Sequence, residues 1–328
     1  MIRILYRDAQ GEVNSNLQID NLIEALKDTE GLLWLDITNE PDESVEPILA
    51  DAFGFHPLAI DDALHESHVP KLDDWQQYLY IVLRAVCCEG DESEQFEILE
   101  QDIFLGPNYI VTYSQQPIAA LERVWNLSQK DQRWLKRRAD HLLYRLADEF
   151  VSDSVSFVEE IEVELDQIEV QIFSEISPAI SERLSSLKRR ILSLRRTVIP
   201  QRDVMAKLAR TEYEVVDPSD LIFFRDVYDH LLRLDNLLND LVILVGSARD
   251  SYLSIVNNRM NEIMKTLTVI TAFFMPLAFI TGFFGMNFFH SVSPFGVWTS
   301  SLAFVIVMAA MVLIPIIMFL WMRRRAYI

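Results

Sequence analysis

The stretch TLTVITAFFMPLAFITGFF, at residues 266–284, decides the fold, because it is apolar throughout and long enough to cross a membrane as a helix. A second stretch of this kind, SLAFVIVMAAMVLIPIIMFLW, follows at 301–321. From Thr266 through Met322 the sequence contains no Asp, Glu, Lys or Arg. A helix that crosses a bilayer needs about 20 apolar residues. We therefore predict two membrane spans joined by a short loop.

Basic residues flank this pair of stretches at its outer ends only. Arg259 and Lys265 precede the first stretch, three arginines at 323–325 follow the second, and the loop between them has no Lys or Arg. Because basic residues stay on the cytoplasmic side, both termini are predicted to be cytoplasmic. The first residues also lack a secretory signal pattern. We expect a multi-pass protein of the inner (cell) membrane, with most of the chain in the cytoplasm.

The chain ahead of the spans changes character near residue 132. Residues 1–132 mix helical stretches with short β-type runs, which is typical of a small α/β domain. These runs are MIRILYR, LLWLDI, YLYIVLRAV, FEILEQDIFL and YIVTYS. Residues 133–265 read as long helices that form a funnel and stalk. The turn signals in this part are at Ser177-Pro178, at Pro200 and at 217–219.

The predicted fold class is an α+β membrane protein with an N-terminal α/β domain, a long helical stalk or funnel and two C-terminal transmembrane helices. Past residue 265 the predicted segments are a first span at 266–287, an external loop at 288–299, a second span at 300–322 and a basic tail at 323–328.

One very long helix is predicted to lead into the first span. No proline occurs from Ser219 until Pro276, so a helix of about 100 Å is expected over 219–284. Its apolar stripe is expected to pack against copies of the same helix, which predicts a homo-oligomer. The residues of this stripe are Leu231, Leu234, Leu238, Leu241 and Val245.

Charge composition excludes some classes of partner. The 328 residues have a formal net charge of −20, and nucleic-acid binding would need clustered Lys and Arg instead. Eleven acidic residues and no basic one lie between Arg145 and Arg183. This segment is either a solvated helix face or a field that concentrates cations. Divalent cations are thus the more natural partners.

Catalytic motifs are missing from the soluble part. The sequence has no phosphate-binding Gly-rich loop, no G-x-S-x-G and no H-E-x-x-H. The nearest candidate, His65-Glu66-Ser67-His68, lies beside Pro70 and is expected in a loop or at a helix end. We predict neither enzymatic activity nor a prosthetic group.

The end of the first span resembles a family signature. Gly285-Met286-Asn287 closes this span, follows a Met275-Pro276 pair and precedes one last span with a basic tail. This arrangement resembles the GMN motif of the CorA family of magnesium and cobalt channels. The segments RRADHLLYRLAD (137–148), VIPQRDV (198–204), FFRDVYDH (223–230) and NEIMKTLTVI (261–270) also look like family segments.

The resemblance implies a homopentamer that lets Mg²⁺, and also Co²⁺, cross the membrane. It implies that Gly285, Met286 and Asn287 form the selective pore entrance, where amide oxygens meet a hydrated ion. Because Mg²⁺ loses water reluctantly, neutral amides that hydrogen-bond its hydration shell suit it. The transported ion is also implied as the regulatory ion.

A row of residues at helical spacing precedes this motif. Several correspond to pore-facing positions in the family, and a helix-packing stripe would show the same spacing. Apolar rings formed by Met264, Leu267 and Met275 are gate candidates, since such constrictions close by excluding water. The full row is Asn261, Met264, Leu267, Thr271, Met275 and Ala278.

Regulation by cytoplasmic cations bound between subunits is also implied. The matching acid is Asp226, with Glu89 of the acidic loop EGDESEQ (89–95) as its expected partner; Asp91 or Glu92 are alternatives. Asp250 is expected to form a carboxylate ring at the cytoplasmic mouth.

Two departures from the family pattern leave the ion open. Ala278 stands where some members have threonine, so Thr271 or Thr281 would have to supply that hydroxyl. The loop FFHSVSPFGVW lacks the acid that commonly follows GMN and carries His290, which suits softer metals. A ZntB-like, proton-coupled Zn²⁺ transporter is therefore the alternative, and a non-conducting metal sensor is a more remote one.

Overall fold

The computed structural model describes residues 1–15, 17–65, 69–88, 96–130, 135, 137–174, 176–210, 213–286 and 301–324. The chain divides into two compact units. Unit 1 comprises Met1–Gln171 and Ser177–Arg249, and unit 2 comprises Ile172–Ile176 and Asp250–Ile328.

Unit 1 contains a seven-stranded sheet. Its strands are β1 (Ile2–Arg7), β2 (Val13–Asn14), β3 (Leu32–Thr38), β4 (Lys71–Asp74), β5 (Leu79–Cys88), β6 (Phe96–Leu105) and β7 (Tyr109–Ser114). They lie in the order β2-β1-β3-β7-β6-β5-β4, and the β3–β7 pair is parallel whereas the other pairs are antiparallel. All five predicted β-type runs form strands. The two strands without a predicted run, β2 and β4, are the short edge strands.

Helices cover both faces of the sheet. On one face, α1 (Leu22–Leu26), α2 (Asp42–Pro47) and α3 (Pro57–Leu64) accompany a core in which Phe55 stacks on Phe104 at 4.2 Å. On the other face, α4 (Ala119–Lys130) places Trp125 edge-on to Trp34 at 4.7 Å. Aromatic contacts of this kind add to the stabilisation from apolar burial.

Two long antiparallel helices follow, α5 (Ala139–Ser174) and α6 (Pro178–Arg210). An ion pair connects the two helices, with Glu164 Oε2 on α5 lying 2.6 Å from Arg190 Nη1 on α6. The turn predicted at Ser177-Pro178 separates the two helices. The turn predicted at Pro200 was wrong, since α6 continues through it. A proline removes one helical hydrogen bond, and the buried Val198 and Val204 on either side hold the helix together.

The predicted long helix is present as α7 (Leu221–Phe284), and α8 (Ser301–Arg324) follows. Sixty-four residues correspond to a length of roughly 96 Å. The expectation that its apolar stripe needs partner copies was wrong. The five residues from Leu231 to Val245 are at most 2% exposed within the single chain. Helix α6 contributes to this packing, because Arg195 and Arg202 both bind Asp235 of α7, at 3.0 and 2.9 Å.

The start of α5 carries a half-buried histidine that faces the start of α7. His141 Nδ1 lies 3.3 Å from Asp220 Oδ2, and Phe223 packs edge-on against its ring. Burial, together with the charges of Arg137 and Arg145, lowers the pKa of His141 from its usual 6.5 to about 4, although the charge of Asp140 opposes the shift. The folded protein therefore favours the neutral imidazole.

This histidine predicts an acid-sensitive contribution to folding. A depressed folded-state pKa gives stability that is present above pH 6.5 and is lost as the pH falls towards 4. We expect His141→Gln to lower the melting temperature at pH 7.5 and to lower it less at pH 4.5. Thermal unfolding of both proteins across this range measures the difference. A gap of constant size would contradict the prediction.

Candidate ion pathway

The predicted row of pore residues lies along one side of α7. Successive helix positions turn by about 100°, so the six residues from Asn261 to Ala278 fall within an arc of roughly 120°. All six are exposed in the single chain. Met264 and Leu267 are each 56% exposed and Met275 is 72% exposed. The spacing therefore produces a continuous surface, which we call the α7 stripe.

The opposite side of α7 faces α8. The rings of Phe273 and Phe319 lie 6.5 Å apart. Leu277 and Ile280 share this side, four and seven residues after Phe273. The α7 stripe thus points away from the chain's own second apolar helix. Both helices are long and apolar enough to cross a membrane. The most apolar part of each helix is not buried within the chain. Such surfaces require lipid or other helices around them.

Threonine hydroxyls bond within the helix along this part of α7. Thr271 Oγ1 donates to the Leu267 carbonyl at 2.8 Å, and Thr281 Oγ1 donates to the Leu277 carbonyl at 2.9 Å. The oxygen lone pairs remain free to accept a hydrogen bond from a hydrated ion. Thr271 lies on the α7 stripe, whereas Thr281 lies about 100° from its centre. Thr271 is therefore the better candidate to supply the hydroxyl that some family members have at the position of Ala278.

The end of α7 explains the glycine of the GMN segment. The Gly285 N–H donates to the Thr281 carbonyl at 2.9 Å, and the Met286 N–H donates to the Phe283 carbonyl at 3.3 Å. A Cβ atom at Gly285 would lie 3.0 Å from the Thr281 oxygen, which is a tight contact. Glycine therefore lets the chain close the helix without a clash. Asn287 and His290 lie outside the described residues.

Asp250 extends the α7 stripe at its other end. It precedes Asn261 by 11 residues, which corresponds to an offset of only about 20° around the helix. Its side chain is exposed. A carboxylate at this position can attract cations to the end of an otherwise neutral row.

Asp226 occupies a different side of α7 and has neighbours on α5. Its side chain is 58% exposed, and its Oδ1 lies 3.9 Å from His230 Nε2. Asp148 of α5, which sequence reasoning did not single out, lies close enough for the two carboxylates to repel. Burial raises the pKa of Asp148, the charges of Arg145 and His230 oppose this, and Asp226 and Glu149 reinforce it. Only the fold reveals this pair, because 78 residues separate its members.

The described residues of one chain do not assemble a complete metal site. Among the described residues, no three His, Cys, Asp or Glu side chains come together as a possible metal site. Glu89, Asp91 and Glu92 lie outside the described residues. The Asp148–Asp226 pair therefore offers two carboxylates that a divalent cation can bind only with further ligands.

This pair predicts a cation-dependent stability. A bound cation offsets carboxylate repulsion and stabilises the state that holds it. We expect Mg²⁺ to raise the melting temperature of the full protein and Asp226→Asn to remove most of that rise. Asp148→Asn should in addition stabilise the Mg²⁺-free protein at neutral pH, because it removes a half-buried charge that Asp226 repels. Asp229→Asn, an exposed neighbour on α7, is the control. An undiminished rise in Asp226→Asn would refute the site.

Comparison with known proteins identifies the family of the chain. Residues 29–324 match the family model described as CorA-like Mg²⁺ transporter protein. The chain is 31% identical over 255 residues to the putative metal ion transporter YfjQ of Bacillus subtilis, covering 78% of each protein. It is 30% identical over 307 residues to the cobalt/magnesium transport protein CorA of Thermotoga maritima, covering 92% of this chain and 85% of that protein.

The fold is also similar to that of a solved structure. The solved structure of the complete CorA magnesium transporter from Methanocaldococcus jannaschii superposes with a TM-score of 0.83 at 23% identity, covering 99% of this chain and 98% of that one. The predicted fold class and the family resemblance are thereby confirmed. The chain is a membrane protein and belongs to the family of CorA-like Mg²⁺ transporter proteins.

Proposed function

We propose that this protein conducts Mg²⁺, and also Co²⁺, across the cell membrane as a homopentamer. The observation that carries the proposal is the α7 stripe, which is exposed, faces away from α8 and continues from Asp250 towards the GMN segment. A surface of this kind encloses a path when several copies of α7 surround a common axis. The metal ions are cargo and regulators, and the protein needs no prosthetic group and acts as a transporter, not as an enzyme.

The residues along the path suit a hydrated divalent ion. Asn287 rings at the external entrance offer amide oxygens to the hydration shell. The apolar positions Met264, Leu267 and Met275 form narrow collars that exclude water when closed. Thr271 supplies a polar station between these collars. Asp250 rings attract cations at the cytoplasmic end.

The segment boundaries of the proposal follow the apolar runs. Residues 1–132 and 133–265 lie in the cytoplasm, 266–287 and 300–322 cross the membrane, 288–299 lie outside, and 323–328 return to the cytoplasm. The lipid membrane is thus a partner. Exposed apolar side chains on the cytoplasmic part of α7 support contact between copies; they are Leu237, Ile243 and Leu244.

Cytoplasmic cations close the pathway in this proposal. Asp226 and Asp148 share a cation with an acid of a neighbouring copy, for which Glu89 is the candidate. A cation that binds more tightly to the closed arrangement shifts the population towards it. When the cytoplasmic concentration falls, repulsion between the carboxylates separates the copies and the path opens.

One specific observation favours a second candidate, proton-coupled Zn²⁺ transport. The loop at 288–299 has no acidic residue and contains His290, whose imidazole suits Zn²⁺. Metal sensing without conduction is a third, more remote candidate.

Ion flux into liposomes that contain the purified protein separates these candidates. Mg²⁺, Co²⁺ and Zn²⁺ are compared with and without a pH gradient. We expect Mg²⁺ and Co²⁺ to enter without a pH gradient. Entry of Zn²⁺ alone, driven by protons, would establish the second candidate. Binding of metal without entry of any ion would support the third candidate, metal sensing without conduction.

A further inference from the structure

The α5–α6 hairpin presents a charged stripe on each of two outward surfaces. On α5, positions spaced alternately by four and three residues are acidic at the centre; they are Val155, Glu159, Glu162, Asp166 and Glu169. On α6, the same spacing gives Ser185, Arg189, Leu192, Arg196 and Ile199. We call these the acidic stripe and the basic stripe. Alternating spacing of this kind is that of helices that pair side by side.

Both stripes are open to solvent in the single chain. Glu159, Glu162 and Asp166 are exposed on α5, as are Arg189 and Arg196 on α6. Leu192 and Ile199, which separate the arginines, are half-buried. Exposed Lys188 lies beside Arg189 and adds a third positive charge. In a chain of net charge −20, such a clustered basic face is unusual.

The two stripes of one chain cannot meet each other. The contact between the helices is made by Glu164 and Arg190, at 2.6 Å. Glu162 lies about 200° around α5 from Glu164, and Arg196 lies about 120° around α6 from Arg190. Each stripe therefore points away from the other helix of its own hairpin.

We propose that the acidic stripe of one copy docks on the basic stripe of the next copy. This rests on the proposed homo-oligomer. Head-to-tail contacts between unlike surfaces close into a ring when the copies are related by rotation. Copies stand at equal height if the rotation axis runs parallel to the hairpin. Because the helices are antiparallel and Glu164 is level with Arg190, Glu162 then faces Leu192. The pairs Asp166–Arg189 and Glu159–Arg196 meet on either side of it. Charge complementarity fixes which surfaces meet.

Cysteine pairs test this docking. In the full-length protein in membranes, Glu162→Cys combined with Leu192→Cys should give, on mild oxidation, disulfide-linked chains up to the size of the ring. The single variants and the mismatched pair of Glu162→Cys with Lys207→Cys should not exceed the wild type, whose Cys87 and Cys88 set the background. Light scattering of the unoxidised protein reports the number of chains independently.

Charge reversal tests whether charge complementarity between the two stripes causes the docking. Adding Glu159→Lys and Asp166→Lys should lower the linked fraction about fivefold, since two exposed pairs contribute together about 1 kcal/mol. Further addition of Arg189→Glu and Arg196→Glu, the partners of the two reversed acids, should restore it. An intact oligomer without disulfides above background would overturn the docking alone. A single chain by light scattering would overturn both the docking and the homo-oligomer.

Discussion

Replacing Asn287 by alanine is expected to reduce Mg²⁺ flux into liposomes by at least about tenfold, with protein folding and assembly unchanged. The amide is proposed to hydrogen-bond the hydration shell of the ion, and hydrogen bonds to charged species contribute about 1.5–3 kcal/mol each. Loss of about 1.4 kcal/mol in this interaction corresponds to a factor of ten. The reduction in flux is larger than that of one lost hydrogen bond, because each copy of the proposed homopentamer contributes one Asn287 amide.

Two variants control this result. Asn258→Ala changes the same residue type on an exposed part of α7, away from the α7 stripe, and should leave flux unchanged. Asn287→Gln keeps the amide at a different reach and should keep part of the flux. Wild-type flux in Asn287→Ala would show that the GMN segment does not contact the ion.

Replacing Leu267 by serine is expected to have the second largest effect, in the opposite direction. An apolar collar closes by excluding water, and a hydroxyl at the same place admits it. With Mg²⁺ on both sides, the condition under which the proposed regulation closes the wild type, the variant should conduct about tenfold faster if the barrier falls by about 1.4 kcal/mol. Liposome flux at high internal Mg²⁺ measures this.

Leu277→Ser is the matched control. Leu277 is on the same helix, ten residues further along, on the side that faces α8. It should leave closure by internal Mg²⁺ intact. Equal leaks in both variants would mean that serine weakens the membrane helix in general, and the gate would then lie elsewhere.

Much of the fold was predictable because it depends on local pattern. The long apolar runs around Phe273 and Phe319 are sufficient to indicate two spanning helices, and the absence of proline between Ser219 and Pro276 predicts α7. Alternating apolar residues predict the five longer strands. The α7 stripe also follows from spacing alone, since a helix fixes which positions share a side.

What the sequence could not show depends on contacts between distant residues. Asp148 and Asp226 become neighbours only when α5 packs beside α7. The stripe from Leu231 to Val245 is apolar whether a partner copy or the same chain buries it, and the structure shows the latter. Pro200 is a reliable turn signal in isolation, and packing of its flanking residues overrides it. The acidic stripe of α5 was visible in the sequence only as part of an acidic segment, and the basic stripe of α6 was not recognised.

The central claim is that the α7 stripe lines the ion path, and thiol modification during flux tests it most directly. Ala278→Cys lies on the α7 stripe, whereas Ile280→Cys, two residues on, shares the side of Phe273 that faces α8. A charged thiol reagent added during Mg²⁺ uptake should stop flux through Ala278→Cys and leave flux through Ile280→Cys and the wild type unchanged. Continued flux after complete labelling of Ala278→Cys would contradict the account.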